Sequence, residues 1–181
     1  VCKYHGRRFD MDGNFISMPE TKGMENFPTK DDNLTKIPTA HWKQFLFTSL
    51  EPTVDFNTFI KEMNDRVGWM PIENFIFDPV ASRDYLVKAN WALYCDNYLE
   101  GFHIPFVHKE LAKTLDYSKY KSELFNYSNL QLGVASGAEH CFDLPKDSPD
   151  YGNKIAAYYF WIFPNMMFNF YPWGLSINII K

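Results

Sequence analysis

Two groups of side chains in this 181-residue chain are able to do chemistry. The larger lies in Asn90 to His108, N-W-A-L-Y-C-D-N-Y-L-E-G-F-H-I-P-F-V-H. Wound as a helix, this stretch sets Asp96, Glu100 and His103 at i, i+4 and i+7 on one narrow stripe. Its other positions are largely Trp91, Leu93, Tyr94, Cys95, Tyr98, Leu99 and Phe102, apolar or aromatic on nearly every side. Such a pattern predicts a buried helix. Two carboxylates and an imidazole carried inward are costly unless paired or bound. Pro105 is expected to end the helix, and a second histidine, His108, follows five residues after the first. Buried imidazole and carboxylate groups on one face are what a metal centre needs. The plainer alternative, a packed histidine beside a wet acidic face, sits poorly with such apolar flanks. The second group is Cys2-x-x-His5, directly ahead of Gly6-Arg7-Arg8-Phe9. By itself it is ambiguous, since a thiolate and an imidazole three apart can hold zinc or nothing.

Composition narrows the field. An apolar share of 46%, with 18% aromatic residues, is ample for a core. A net charge of −4 and a pI near 5.7 leave no basic footprint, so nucleic acid is not an expected partner. No apolar run reaches membrane-spanning length. Three widely separated cysteines do not make a disulfide framework, which favours a reducing, cytoplasmic setting. The chain opens on Val1-Cys2 and closes on what reads as a strand, so a piece of a longer protein is expected. The absence of a targeting segment then carries no weight.

The elements that must position these groups read as follows. Asp12-Gly13 between Phe9 and Phe15 predicts a two-residue hairpin turn. Residues 17–40 are loop-like, and Phe45-Leu46-Phe47 forms a short strand. His41 reads as structural or surface. Asp55 caps a helix whose packing face is Phe56, Phe59, Ile60, Met63 and Val67. Trp69 to Pro79 is a connector, and Tyr85-Leu86-Val87 a strand leading into the 90–103 helix. Leu111 and Leu115 suggest a short helix. Leu130, Leu132 and Val134 alternate with Gln131, Gly133 and Ala135 as in a half-buried strand. His140-Cys141 reads as a loop residue beside a packed thiol. Residues 155–163 and 166–171 are strands apolar on both faces, covered on both sides or lining a cavity. Pro172-Trp173-Gly174 turns the chain into a last strand.

Together, Cys2-x-x-His5 and N-W-x4-D-N-Y-x-E-x-F-H-x4-H resemble the catalytic α subunits of Rieske non-haem iron oxygenases, over essentially the whole chain. Within that family, A-N-W-x4-C-D-N-Y-L-E-G-F-H-I-P-F-V-H-K is most similar to the choline-monooxygenase-like branch. The stretch I-F-P-N-M-M-F-N-F-Y-P-W-G points the same way. The resemblance implies an α+β chain. Residues 1–50 would be the C-terminal part of an all-β Rieske domain, and 51–80 a connector with a helix. Residues 81–181 would be the first part of a helix-grip (START-like) antiparallel-sheet catalytic domain.

It further implies that Cys2 and His5 are half the ligands of a [2Fe–2S] cluster, completed by a C-x-H loop ahead of Val1. His103 and His108 match the two histidines of a mononuclear Fe(II) site, whose third ligand, a carboxylate, lies beyond residue 181. Glu100 matches the acid that links the two centres across a subunit boundary. Asp96 and Asn97 match the preceding polar pair that orients the ligands. The implied reaction is O₂ activation, hydroxylating or demethylating a quaternary ammonium or aromatic compound. Electrons would come from NAD(P)H through a separate reductase, with or without a ferredoxin, to a homotrimer or larger assembly. The aromatic strands 158–163 and 168–173 are candidate pocket walls. The piece alone is expected to be inactive. Two other readings compete: a metal-dependent hydrolase using Glu100, His103 and His108 directly, and a non-enzymatic helix-grip binding module with the histidines buried as structure.

Overall fold

The computed structural model describes residues 1–137 and 140–181. The chain divides into two compact units, Val1–Thr53 and Val54–Lys181.

In the first unit, β1 (Arg8–Phe9) pairs antiparallel with β2 (Phe15–Ser17). The hairpin at Asp12-Gly13 forms, but Phe9 pairs with Phe15, so residues 10–14 make a longer loop than the expected two-residue turn. Asp10 is the cause: its carboxylate accepts the Asp12 N–H at 2.9 Å and the Asn14 N–H at 2.8 Å, organising the loop from within. A second antiparallel pair joins β3 (Thr39–Trp42) to β4 (Phe45–Thr48). His41 lies exposed on β3, beside a buried Trp42.

The second unit opens with Asp55 accepting the Thr58 N–H at 3.1 Å, which caps α1 (Phe56–Phe59). The chain bends at Ile60 and resumes as α2 (Lys61–Val67). The expected apolar face thus spans two short helices, and its Ile60, Met63 and Val67 are buried. A 3₁₀ turn follows at Ile72–Asn74. The expected strand at Tyr85–Val87 does not form; its residues are exposed and meet no neighbouring strand, without which an extended segment has no ladder to join. Next come α3 (Trp91–Leu99), α4 (Ile104–Val107) and α5 (Lys109–Thr114). The remainder is a five-stranded antiparallel meander of β5 (Lys121–Leu124), β6 (Ser128–Val134), β7 (Ile155–Ile162), β8 (Met166–Tyr171) and β9 (Gly174–Ile179), in that order.

Register sorts the sheet into two faces. One carries the row Glu123, Leu130, Phe160, Phe168, Ile177, with Leu132, Tyr158 and Phe170 beside it. Here α2 docks: Arg66 donates to Glu123 and Asp150, and the Tyr158 hydroxyl donates to Asp150 at 2.9 Å. The other face carries the row Ser122, Gln131, Tyr159, Asn169, Ser176, and α3 docks there. Layers on both faces explain why β6 is buried on both sides, where alternation alone predicts a half-buried strand. Tyr158, Phe160, Phe168 and Phe170 are no more than 2% exposed, each contributing on the order of 2 kcal/mol of apolar burial. Among the described residues no helix is long and apolar enough to cross a membrane.

Candidate metal centre

The helix expected to run through His103 stops short. α3 is capped by Asn90, whose side chain accepts the Ala92 N–H at 2.9 Å, and ends at Leu99; Glu100 is already extended, at φ −127° and ψ 157°. Two causes are visible. Gly101 lies against the Tyr120 ring, so close that a Cβ there would come within 2.6 Å of it. The Glu100 carboxylate also turns onto the backbone ahead, accepting the N–H groups of Phe102 and His103, in place of continued helix. Pro105 then lies in the first turn of α4, where its missing N–H costs nothing, and starts that helix instead of stopping α3. Nor is α3 buried all round: Trp91, Leu93 and Tyr94 are exposed and only Cys95 is fully covered, because a single edge of the helix meets the sheet.

The break brings three of the expected residues together. Glu100 Oε1 lies within hydrogen-bonding distance of His103 Nδ1, and the His103 and His108 rings stand 5.0 Å apart at 72°. Partial burial favours the neutral acid of Glu100, but the hydrogen bonds from His103 and the Phe102 N–H outweigh it and hold the carboxyl below its ordinary range. With Nδ1–H donating to Glu100, His103 keeps the Nε2 lone pair free, the tautomer a metal ligand needs. Two imidazoles bound to one ion at about 2.1 Å, with a bite between right-angled and tetrahedral, place their centroids about 5 Å apart. The pair therefore fits a shared metal ion. Among the described residues no set of three His, Cys, Asp or Glu side chains is gathered to hold one. His103 is half-buried and His108 exposed beside an open depression lined by Val107 to Leu111. Asp96 and Asn97 lie exposed on α3 and make no hydrogen bond to Glu100, His103 or His108 among the described residues.

Sequence reasoning missed the residues that hold this turn. Gln131, 2% exposed on β6, donates from Nε2 to the Tyr98 carbonyl and accepts the Tyr120 hydroxyl at 2.6 Å. The Tyr98 hydroxyl donates to Asn169 Oδ1 at 2.8 Å, and Asn169 donates on to the Ser176 carbonyl at 3.3 Å. The available signal was a buried-looking amide in each of two strands, Gln131 between Leu130 and Leu132 and Asn169 between Phe168 and Phe170. Gly101, between the periodic residues Leu99 and Phe102, was the signal for the break.

Of the candidate pocket walls, Tyr158, Phe160, Phe168 and Phe170 belong to the core on the α2 face. Tyr159 and Tyr171 share the α3 face, with their rings edge to face at 6.0 Å, and Trp173 stacks on Tyr171 at 4.8 Å.

The other pair lies in the first unit. Cys2 and His5 are exposed at the two ends of one turn, closed by the Gly6 N–H on the Cys2 carbonyl at 3.0 Å and the Cys2 N–H on the Arg7 carbonyl at 2.7 Å. Gly6, at φ +71°, permits that closure. The Cys2 sulfur accepts the N–H groups of Tyr4 and His5, which lowers its pKa and favours the thiolate. A thiolate and an imidazole offered from one turn fit the edge of an iron–sulfur cluster. His140 is exposed and Cys141 half-buried in the second unit, and no cysteine is in a disulfide.

A strand meander gripping a helix, with two histidines and a carboxylate at that helix's end, defines a class: the sequence model of the ring hydroxylating alpha subunit (catalytic domain) matches residues 76–180, and the chain belongs to that family. Choline monooxygenase, chloroplastic, of Arabidopsis thaliana is 28% identical over 195 residues, covering 99% of this chain and 44% of that protein. The carnitine monooxygenase oxygenase subunit of Escherichia coli K12 is 24% identical over 176 residues, covering 95% of this chain and 45% of that protein. The chain thus spans less than half the length of these relatives. Among solved structures, the quaternary ammonium Rieske monooxygenase CntA with a bound inhibitor superposes with a TM-score of 0.73 at 22% identity, over 98% of this chain and 47% of that one. Another, of a quaternary ammonium Rieske monooxygenase studied for carnitine oxidation and inter-subunit electron transfer, gives a TM-score of 0.69 at 20% identity over 98% of this chain and 47% of that one.

Proposed function

We propose that the whole protein is the terminal oxygenase of a Rieske-type monooxygenase acting on a small quaternary ammonium compound. The observation that carries this reading is the Glu100 carboxylate on His103 Nδ1 with the His108 ring 5.0 Å from that of His103. His103 and His108 would hold Fe(II), and Cys2 and His5 half of a [2Fe–2S] cluster. When bound, the iron supplies O₂ activation and the cluster supplies electrons.

The protein's own groups then have separate jobs. Glu100 keeps the proton of His103 on Nδ1, fixes the ring and leaves Nε2 to the metal. Its carboxylate, 35% exposed, retains an edge on which an imidazole of a neighbouring subunit could dock. That is the bridge the family resemblance assigns to Glu100. Asp96 and Asn97, exposed one turn earlier, are proposed to order the same approach. Tyr159, Tyr171 and Trp173 offer ring faces that attract a quaternary ammonium group by cation–π interaction. A reductase, with or without a ferredoxin, is the expected electron donor, and a homotrimer or larger ring the expected assembly.

Two competing readings fit less well. A hydrolase needs Glu100 as a general base, whereas the hydrogen bonds from His103 and the Phe102 N–H hold its carboxyl below the ordinary range and make it a poor one. A binding module with structural histidines needs both rings in the core, and His108 is exposed.

The test uses the intact protein reconstituted with iron under anaerobic conditions. His103→Ala is expected to abolish iron at the mononuclear site and substrate oxidation, while the reduced Rieske EPR signal persists. Retained oxidation in His103→Ala would sink the assignment.

A further inference from the structure

We propose that Gln131 is a positioning residue of the metal centre, clamping the helix break so that the Glu100 carboxylate meets His103. This inference rests on the iron reading above. Gln131 lies on β6, is 2% exposed and uses both ends of its amide. Its Nε2 donates to the carbonyl of Tyr98, two residues ahead of Glu100 and among those that the end of α3 leaves without a helical partner. Its Oε1 accepts the Tyr120 hydroxyl at 2.6 Å, and the Tyr120 ring is the surface on which Gly101 rests. The backbone is therefore held on both sides of Glu100 by one strand side chain.

The anchor is rigid. Gln131 occupies an interior position of a register row, flanked by Ser122 and Tyr159 on the neighbouring strands. A second tie, Tyr98 hydroxyl to Asn169, comes from the same row. The turn from 100 to 103 is short, so displacing the Tyr98 carbonyl or the Gly101 backbone changes the reach of the carboxylate. The orientation of the His103 ring changes with it. A glutamine buried only to satisfy its own amide would behave differently. An apolar replacement of similar size would then alter stability without altering the metal.

The experiment is a Co(II) titration of the iron-depleted mononuclear site in the intact protein with an oxidised cluster. It is read by low-temperature Co(II) EPR, with the thermal midpoint measured in parallel. Gln131→Leu is expected to weaken Co(II) binding about 10-fold or more, the usual effect of losing a group that orients a ligand. Tyr120→Phe keeps the ring and loses the hydroxyl, and is expected to weaken binding by a smaller factor; it carries the test if Gln131→Leu does not fold. If Gln131 acts through Glu100, Gln131→Leu in a Glu100→Ala background adds no further loss. Arg66→Met, on the opposite face of the sheet, is expected to lower the midpoint and leave Co(II) affinity unchanged. Wild-type Co(II) affinity and spectrum in a folded Gln131→Leu protein, or an equal loss in Arg66→Met, overturns the proposal. His103→Ala separates the two levels: if it still binds Co(II) at the site, the iron reading falls and this inference with it. If it does not, a negative result in Gln131→Leu refutes the clamp alone.

Discussion

At the scale of single residues, the proposed iron centre depends on one proton and where it is kept. Glu100 holds it on His103 Nδ1, and every other role of that carboxylate follows from this bond. Glu100→Gln preserves size and an acceptor oxygen but removes the charge that would join two imidazoles. Iron is expected to bind to full occupancy at saturating metal, while NAD(P)H-coupled turnover falls by about 100-fold, the upper range for loss of such an orienting group. Single-turnover oxidation of the pre-reduced enzyme checks it: normal rates in that variant would remove Glu100 from the electron path. Residue type and spacing singled out His103, His108 and Glu100, which the fold brings together, and Cys2 and His5, which share one turn. The placing of Asp96 on the same stripe was not, since it assumed an unbroken helix. Gln131 and Tyr120 stayed hidden for another reason. Their partners, the Tyr98 carbonyl and the Gly101 backbone, are groups every sequence has, and only the fold says which of them are left over.

At the scale of elements, the turn between α3 and α4 is what brings Glu100, His103 and His108 together. Periodicity read Leu99 and Phe102 as one continuing face, because nothing local opposed it except Gly101. The deciding contact comes from Tyr120, on the approach to β5, and single-helix patterns do not see it. Gly101→Ala is therefore expected to cost more than the usual gain in helix propensity returns. A methyl 2.6 Å from the Tyr120 ring forces the turn or the ring to move. Mononuclear iron affinity should drop by about 10-fold, while the sheet stays folded by far-UV circular dichroism. Unchanged iron affinity in Gly101→Ala would mean that the break tolerates displacement. On the opposite face, Arg66 joins α2 to the sheet through Glu123 at 2.9 Å and Asp150 at 2.6 Å. Arg66→Met leaves the largely buried Asp150 uncompensated beside Tyr158, an expected loss of about 3 kcal/mol in chemical denaturation. A loss below about 1 kcal/mol would mark the cluster as a solvated surface pair instead. Four of the sheet's five strands were legible in outline as apolar or alternating runs separated by turn residues; β5, Lys121-Ser122-Glu123-Leu124, has too little apolar pattern to show as one. Their two-sided burial was not legible for β6, because alternation with Gln131 and Asn129 imitates a wet face while helices cover both sides.

At the scale of the molecule, the second unit gathers hydroxyls where water is scarce. Tyr98, Tyr120, Tyr158, Tyr159 and Tyr171 all have pKa values above the ordinary tyrosine range, in each case chiefly through burial. The Glu100 carboxylate adds to the shift at Tyr120, Asp150 adds to it at Tyr158, and at Tyr159 the hydrogen bond its hydroxyl donates to Tyr171 adds to it. In the folded protein these groups keep their protons at a pH where the unfolded chain, with tyrosine pKa values near about 10, releases them. Between those limits the native state binds more protons than the unfolded one, so stability falls as pH rises. The contribution is fully present below about pH 10 and is lost as pH climbs towards the raised folded values. Denaturant midpoints should thus be flat with respect to these groups up to about pH 9 and decline above about pH 10. Tyrosinate absorbance from the five hydroxyls should appear together with the loss of far-UV circular dichroism, not ahead of it. Tyr98→Phe and Tyr120→Phe should each shallow the alkaline decline by removing one coupled proton, even where they lower stability at neutral pH through a lost hydrogen bond. Tyrosinate formed by Tyr98, Tyr120, Tyr159 or Tyr171 in a protein with native circular dichroism would show that water reaches the α3 face of the sheet, and would undo the packing on which both the Glu100 turn and the proposed Gln131 clamp depend.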